Sequence, residues 1–189
     1  MLNHCATYHE VINNIRDNVL SAGRAPESVS LLAVSKRQSE QAIRNLAACG
    51  QRAFGENYLQ EAEEKISALK DLALERHFIG PLQSNKTARV ASLFDWVHTV
   101  DRRKIAQRLN DQRPDELPPL NICVQVNISG EESKNGVAPD DLSDILETLL
   151  NLPKLRFRGL MALPAPVGEF ERQRAMFKQL REIYLQVIG

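Results

Sequence analysis

Helical and strand-like spacings of apolar residues alternate along this chain. The first residues predict a helix, because apolar positions recur at steps of four and three before a glycine suited to a helix C-terminus. These positions are Tyr8, Ile12, Ile15, Val19, Ala22 and then Gly23. Six apolar β-like runs follow, and each is succeeded by a helical pattern. The runs are Ser30 to Lys36, Arg52 to Asn57, Arg76 to Gly80, Trp96 to Val100, Ile122 to Ser129 and Leu155 to Leu163.

The helix predicted after the second strand has the clearest amphipathic pattern. Its apolar stripe consists of Leu59, Ala62, Ile66, Leu69 and Ala73. Glu61 and Lys65 are predicted to form an i,i+4 pair on the solvent side. Ser39 and Asp101 are predicted N-caps of two other helices, and Gly50 is a predicted C-cap.

Strict alternation of strands and helices predicts βαβ crossovers and a parallel sheet, which is either doubly wound or closed into a (β/α)-barrel of the TIM type. In the first strand, Leu32, Val34 and Lys36 share one face, while Ala33 and Ser35 keep the opposite face small. No glycine-rich nucleotide-binding loop follows any predicted strand. We therefore expect a barrel, formed as a single domain by residues 1–189.

Composition limits the partners that this domain can have. The sequence contains 24 Lys and Arg and 24 Asp and Glu residues, so its zero formal net charge argues against binding to nucleic acid. No apolar stretch approaches the roughly 18 residues that a membrane helix needs. Cys5, Cys49 and Cys123 are scattered and odd in number, which argues against a disulfide framework and a structural zinc site. We expect a protein of the reducing cytoplasm, with neither a membrane nor a nucleic acid as partner.

The chemically richest segments lie at or after the ends of the predicted strands. Lys36 closes the first strand, and Asn57, Ser84 and Asn127 occupy the ends of later ones or the residues that follow them. In a barrel, the C-terminal ends of the strands meet at one mouth, where function concentrates. We therefore expect these side chains to share a rim, although a lysine at a strand end is more often only a solvated charge.

Several segments, taken together, carry a resemblance to a known family. They are Val34-Ser35-Lys36, Phe54-Gly55-Glu56-Asn57-Tyr58, His77-Phe78-Ile79-Gly80-Pro81-Leu82-Gln83-Ser84-Asn85-Lys86, Val126-Asn127-Ile128-Ser129, Ser133-Lys134-Asn135-Gly136 and Arg158-Gly159-Leu160-Met161. In order and spacing, from near residue 10 to the end of the chain, they resemble the YggS-like family of pyridoxal phosphate homeostasis proteins.

The resemblance implies an α/β-barrel of the alanine racemase N-terminal type, here with the extra N-terminal helix. It implies that pyridoxal 5′-phosphate is held as an internal aldimine on the lysine at position 36. Such a protein is non-catalytic, and it helps to balance vitamin B6 forms and amino-acid pools. The cofactor-binding residues would be Lys36, Asn57, Ser84, Asn127 and Met161, with no catalytic residue and no metal ligand. A complete fold of this family is expected to be a monomer.

The chemistry of these residue types fits such a site. Attack on an aldehyde requires a neutral amine, and we expect partial desolvation at a barrel mouth to favour that form of Lys36. Asn57 either orients the cofactor ring or caps the next helix. Ser84 either contributes to an anion site at a helix N-terminus or belongs to a helix cap beside the surface residue Lys86. Met161 is expected to pack on the inner face and to touch the cofactor.

Two histidines and one loop are predicted to have no part in this chemistry. His77 lies at the beginning of the third strand, away from the mouth, and is expected to make structural hydrogen bonds. His98 lies in the middle of the fourth strand, and its neighbours have no metal-binding spacing. The segment Glu131-Glu132-Ser133-Lys134 is predicted to be an exposed loop.

The chain also departs from the family pattern. Only six of the eight β/α units of a barrel, which typically has ~250 residues, are apparent, and the family's C-terminal phosphate-binding segments have no counterpart here. Unpaired edges on the first and sixth strands would favour self-association. Affinity for pyridoxal phosphate is expected to fall. Two alternatives therefore stay open: an amino-acid racemase or decarboxylase of the same fold, and a truncated fragment that has lost ligand binding.

Overall fold

The computed structural model describes residues 4–128, 135–164 and 168–188 of the chain. The helices are α1 (His4–Ser21), α2 (Glu40–Ala48), α3 (Leu59–Ala68), α4 (Thr87–Leu93), α5 (Arg103–Gln112), α6 (Leu142–Leu150) and α7 (Phe170–Ile188). The strands are β1 (Ala33–Val34), β2 (Ala53–Glu56), β3 (Glu75–Phe78), β4 (Trp96–Val100), β5 (Leu120–Gln125) and β6 (Leu155–Met161). They lie in chain order, and their described pairings are parallel, which confirms the predicted alternation. Within these ranges, no helix is long and apolar enough to cross a membrane.

The chain divides into two compact units, of which the first ends at Arg76. In this unit β1 pairs with β2, with Ala33 opposite Phe54 and Val34 opposite Gly55. The backbone N–H of Glu75, the first residue of β3, donates to the carbonyl of Arg52 at 2.9 Å. Helices α2 and α3 cover one side of these strands because their apolar residues form a common core. That core contains Ile43, Ala47, Phe54 and Leu69.

The second unit begins at His77 and contains the pairs β3–β4, β4–β5 and β5–β6. Because side chains alternate along a strand, each strand of this sheet presents two different faces. One face is apolar and includes the buried residues Phe78, Val97 and Ile122. Val97 of β4 lies opposite Phe78 of β3 on one side and opposite Ile122 of β5 on the other. The opposite face carries His77 and Trp96, which are directly opposite each other in register.

The predicted helix caps are only partly observed. Ser39 is the N-cap of α2, and its Oγ accepts a hydrogen bond from the Ala42 N–H at 3.2 Å. Gly50 follows the end of the same helix with φ of +110°, as a terminating glycine should. The prediction for Asp101 is wrong, because Arg102 is the N-cap of α5. The Asp101 carboxylate instead accepts a hydrogen bond from Arg102 Nη1 at 2.6 Å, and Arg102 precedes the first residue of α5.

A disulfide joins Cys5 of α1 to Cys49 at the end of α2, with the two Cα atoms 5.3 Å apart. The prediction that the cysteines would form no disulfide is therefore wrong. The two residues are 44 positions apart and meet because α1 packs against α2, which their spacing in the sequence does not indicate. Cys123 is a free, buried thiol, and burial raises its pKa to about 11.

Candidate functional site

Lys36 lies two residues beyond the end of β1, in a turn that it forms with Arg37. The Ser35 N–H donates to the Gly55 carbonyl at 2.9 Å, which extends the pairing of β1 with β2 by one residue. Continuing that register by one further residue places Lys36 level with Asn57. The two residues therefore lie at the ends of adjacent strands, as the sequence predicts.

Lys36 is exposed to solvent rather than partly desolvated. The expectation that a barrel mouth shields this amine is wrong for the chain described here. The strand β1 has only two residues, and Val34, which shares a face with Lys36, is 51% exposed. The face of β1 that carries Lys36 is thus uncovered, and the turn projects beyond the strand.

A buried network of charged side chains adjoins the Lys36 turn. Lys65 Nζ donates to Glu56 Oε1 at 2.7 Å and to Glu61 Oε1 at 2.6 Å. It also donates to the Ser35 carbonyl at 2.6 Å, and the Ser35 hydroxyl donates to Glu56 Oε1 at 2.7 Å. The side chains of Lys65 and Glu56 are only 9% and 8% exposed. Because a buried charge is costly unless it is paired, these contacts compensate for the burial of the two side chains.

The buried position of Lys65 contradicts the prediction that it lies on the wet side of α3. Lys65 follows Ala62 by three residues and precedes Leu69 by four, so it shares the buried face of those two residues. This spacing is the signal available in the sequence. The i,i+4 pairing with Glu61 is confirmed, and the hydrogen bond from Lys65 lowers the pKa of the Glu61 carboxyl.

Asn57 presents an acceptor that no described residue satisfies. Its Oδ1 is buried and has no hydrogen-bond partner within the described residues, and the same holds for Glu56 Oε2. The alternative role of Asn57 as a helix cap is wrong, because Tyr58 is the N-cap of α3. Both unsatisfied acceptor atoms therefore lie buried beside the network that adjoins the Lys36 turn.

The other three predicted site residues belong to the second unit. Ser84 starts a short 3₁₀ segment after β3, and its carbonyl accepts from Thr87 Oγ1 and Arg108 Nε, both at 2.9 Å. The cap of that segment is Gln83, so Ser84 does not have the N-cap position. Lys86 is exposed, as predicted.

Asn127 and Met161 lie near the ends of β5 and β6. The Asn127 N–H donates to the Val137 carbonyl at 2.9 Å, and the Met161 carbonyl accepts from the Val126 N–H at 2.8 Å. Gly136 has φ of +129°, and a Cβ there would come within 2.6 Å of the Asn127 nitrogen, so the chain can pass this closely only with glycine. Ser129 and the predicted loop Glu131-Glu132-Ser133-Lys134 lie outside the described residues.

His77 and His98 form a pair on the face of the sheet opposite its apolar core. His77 Nδ1 lies 2.8 Å from His98 Nε2, and the His77 ring stacks on Trp96 with centroids 5.3 Å apart. Burial lowers the pKa of His77 to about 4, so this ring is neutral at pH 7. The contacts are structural, as predicted. In the described ranges, no cluster of histidine, cysteine and acidic side chains could hold a metal ion.

Comparison with known proteins agrees with this geometry. Residues 12–187 match the family model described as alanine racemase, N-terminal domain. The pyridoxal phosphate homeostasis protein of Pseudomonas aeruginosa is 56% identical over 178 residues, which cover 94% of this chain and 77% of that protein. This chain belongs to the pyridoxal phosphate homeostasis family. The family member from Escherichia coli strain K12 is 51% identical over 173 residues, which cover 88% of this chain and 74% of the relative.

Solved structures show the fold of the family. PipY of Synechococcus elongatus PCC7942, whose structure has PLP bound, is 37% identical with a TM-score of 0.77, and the match covers 91% of this chain and 81% of PipY. Alanine racemase from Corynebacterium glutamicum is 18% identical with a TM-score of 0.62, and the match covers 93% of this chain and 50% of the enzyme. The predicted α/β fold of the alanine racemase N-terminal type is confirmed.

Proposed function

We propose that this protein binds pyridoxal 5′-phosphate as a Schiff base on Lys36 and contributes to vitamin B6 and amino-acid homeostasis without turning over a substrate. A cytoplasmic location is part of the proposal, and it rests on the family rather than on the cysteines, because the Cys5–Cys49 disulfide does not support a reducing compartment. The observation that carries it is the placement of a primary amine directly after β1, level with Asn57 on the neighbouring strand, in a chain that belongs to the pyridoxal phosphate homeostasis family. The bound cofactor in PipY supports the same ligand.

The residues around Lys36 fit an aldehyde ligand with polar ring substituents. A primary amine supplies the nucleophile. Asn57 Oδ1 and Glu56 Oε2 are unsatisfied acceptors nearby, and because both atoms are buried, a ring hydroxyl or a protonated ring nitrogen would reach them only after neighbouring side chains shift. When bound, the cofactor supplies an electrophilic aldehyde carbon. The chain's own contribution is to hold the amine and these acceptors at adjacent strand ends.

Exposure of Lys36 shapes the expected binding behaviour. The Lys36 side chain is exposed, as are those of Lys70 and Lys86. Selectivity for Lys36 over other exposed lysines must therefore come from where the amine is held rather than from a dry pocket.

A labelling experiment on the full chain tests the proposal. The protein is titrated with pyridoxal phosphate, reduced with borohydride, digested and mapped by mass spectrometry. We expect saturable modification concentrated on Lys36, and its loss in Lys36→Ala. Lys70→Ala is the matched control, because Lys70 is an exposed lysine two residues beyond the end of α3 and its removal should leave the Lys36 label unchanged. Label spread evenly over surface lysines, in a protein shown to be folded by cooperative melting, would overturn the proposal and favour a fragment without ligand binding.

An amino-acid racemase of the same fold is less well supported. Five solved alanine racemases are 13–18% identical to this chain, which shows the fold alone, and the matches cover about half of their length. For the two homeostasis proteins compared above, the match covers 77% and 74% of the relative's length. Racemisation of L-alanine by the pyridoxal phosphate complex, abolished in Lys36→Ala, would reverse this preference.

A further inference from the structure

The backbone on both sides of Lys36 is held by side chains of α3. The carbonyl of Ser35, which belongs to the peptide group before Lys36, accepts from Lys65 Nζ at 2.6 Å. The N–H of Arg37, which belongs to the peptide group after Lys36, donates to Glu61 Oε1 at 2.5 Å. The two peptide groups that determine the direction of the Lys36 side chain are thus both fixed by one helix.

The two side chains that hold the turn also hold each other. Lys65 Nζ lies 2.6 Å from Glu61 Oε1, and the two residues are one helical turn apart on α3. Contacts with Ser35, Glu56 and Glu61 use all three N–H donors of the Lys65 ammonium. Glu56 ties the pair to β2, so movement of the turn would break charge-assisted hydrogen bonds in a buried setting.

The turn itself has a conformation that needs such support. Arg37 has φ of +60°, and among the described residues it is the non-glycine residue with a positive φ. A residue with a Cβ is strained in this region, and such conformations persist where surrounding contacts determine them. The hydrogen bond from the Arg37 N–H to Glu61 is the contact that does so here.

We propose that Glu61 and Lys65 are positioning residues that fix the Lys36 turn and so present its amine to the aldehyde in one orientation. The inference rests on the proposed function and adds to it the source of selectivity for one exposed lysine. In the reaction, the Lys36 nitrogen adds to the aldehyde carbon, a C=N bond forms and the carbonyl oxygen leaves as water. In this inference Glu61 and Lys65 act through the backbone of residues 35–37, which they contact, and take no direct part in the reaction.

Replacement of Glu61 tests the inference with the smallest risk to folding, because its side chain is 26% exposed. Glu61→Ala removes the acceptor of the Arg37 N–H. Glu61→Gln keeps an oxygen acceptor at the same place, and Glu64→Ala removes an exposed carboxylate from the same helix as a control. Each variant is checked by cooperative melting. Two quantities are then measured: the exchange rate of the Arg37 amide hydrogen, and the ratio of borohydride-trapped label on Lys36 to label on all other lysines.

We expect Glu61→Ala to speed exchange of the Arg37 amide and to lower the Lys36 labelling ratio on the order of tenfold, because small losses of alignment cost reaction rate steeply. Glu61→Gln should recover most of the ratio, and Glu64→Ala should match the unmodified protein. Pyridoxal, which lacks the phosphate, should show the same relative loss in Glu61→Ala.

The outcomes separate the inference from the proposed function. Unchanged Arg37 exchange in Glu61→Ala would overturn the structural part of the inference. Faster exchange with an unchanged labelling ratio would overturn its functional part, while loss of label in Lys36→Ala would still support the proposed function. Site-selective label that persists in Lys36→Ala would overturn both.

Discussion

Two buried cations in this chain are accommodated in different ways. In the first unit, Lys65 is paired with two carboxylates and one carbonyl beside the Lys36 turn. In the second unit, the guanidinium of Arg113 donates to the backbone carbonyls of Ala91, Phe94 and Pro118 at 2.5 to 2.9 Å. Burial lowers the pKa of Arg113, and the negative charge of Asp95 partly offsets this effect.

The difference reflects what each cation holds. Arg113 binds carbonyls at the C-terminal end of α4, where the helix dipole favours a positive charge, and it ties that end to the loop around Pro118. Its role is to satisfy backbone acceptors in the protein interior. Lys65 instead belongs to a network of titratable groups whose contacts converge on one turn. Buried charge pairs are weak evidence for stability alone, so their placement at this turn points to positioning.

The largest effect expected from this comparison comes from Lys65→Met. The substitution leaves the Glu56 carboxylate buried without its cation, and the free energy of unfolding should fall by about 3–5 kcal/mol. Urea denaturation at neutral pH measures this. Adding Glu56→Gln to Lys65→Met should recover part of the loss, because the stranded charge is then removed.

Arg113→Met is the matched variant in the second unit. It strands neutral carbonyls rather than a carboxylate, so it should cost less than Lys65→Met, about 1–3 kcal/mol. Lys70→Met, at an exposed lysine, should change the free energy of unfolding by less than about 0.5 kcal/mol. If Arg113→Met lowered the free energy of unfolding as much as Lys65→Met or more, carboxylate pairing would not be what distinguishes the two sites.

Acid should have the next largest effect, through His77 in the second unit. Burial lowers the pKa of His77 to about 4 in the folded protein, whereas the ordinary value for histidine is 6.5. Between these values the unfolded chain binds a proton that the folded chain does not, so stability is lost as the pH falls from about 6.5 to about 4. The loss amounts to about 3 kcal/mol, because one pKa unit corresponds to about 1.4 kcal/mol.

Urea unfolding between about pH 7 and about pH 4 measures that loss. His77→Asn should make the stability profile flatter than that of the unmodified protein across this range. His9→Asn is the control, because His9 is exposed on α1 and should not alter the profile. If His77→Asn and the unmodified protein had identical profiles, His77 would not be the group whose protonation on unfolding makes stability depend on pH.

The smallest effect compares two buried hydroxyl groups. Ser35 Oγ donates to the Glu56 carboxylate at 2.7 Å, whereas Thr99 Oγ1 donates to the neutral Gly80 carbonyl at 2.6 Å. Hydrogen bonds to charged groups contribute about 1.5–3 kcal/mol and neutral ones about 1 kcal/mol. Ser35→Ala should therefore destabilise the protein more than Thr99→Val, which keeps the side-chain volume. If Ser35→Ala and Thr99→Val lowered the free energy of unfolding equally in thermal and urea unfolding, the charge of Glu56 would have no role in strengthening its bond with Ser35.

Sequence patterns predict the architecture better than the environment of individual residues. The strand predicted from Trp96 to Val100 is observed with the same bounds, because a central strand is apolar along most of its length. The first strand is predicted from Ser30 to Lys36 and is observed only as Ala33–Val34, because its register with β2 is formed at two positions. The exposure of Lys36 follows from that short pairing, which composition does not specify.

The charged network shows where sequence reasoning stops. The spacing from Ala62 through Lys65 to Leu69 indicates a shared face, but a lysine on an apolar face is normally assigned to the surface. Only the three-dimensional structure shows that Glu56, from a different element, provides the partner that makes burial of Lys65 tolerable. The positive φ of Arg37 is equally invisible in the sequence, because arginine has no preference for that region.

The bond between Cys5 and Cys49 closes a covalent ring within the first unit. The ring includes Lys36 and its turn, since both lie between the two half-cystines in the sequence. A protease that cuts once inside the ring would leave the two pieces attached until a reductant is added. Migration on a gel with and without dithiothreitol would consequently report whether such a nick has occurred near the lysine-bearing segment.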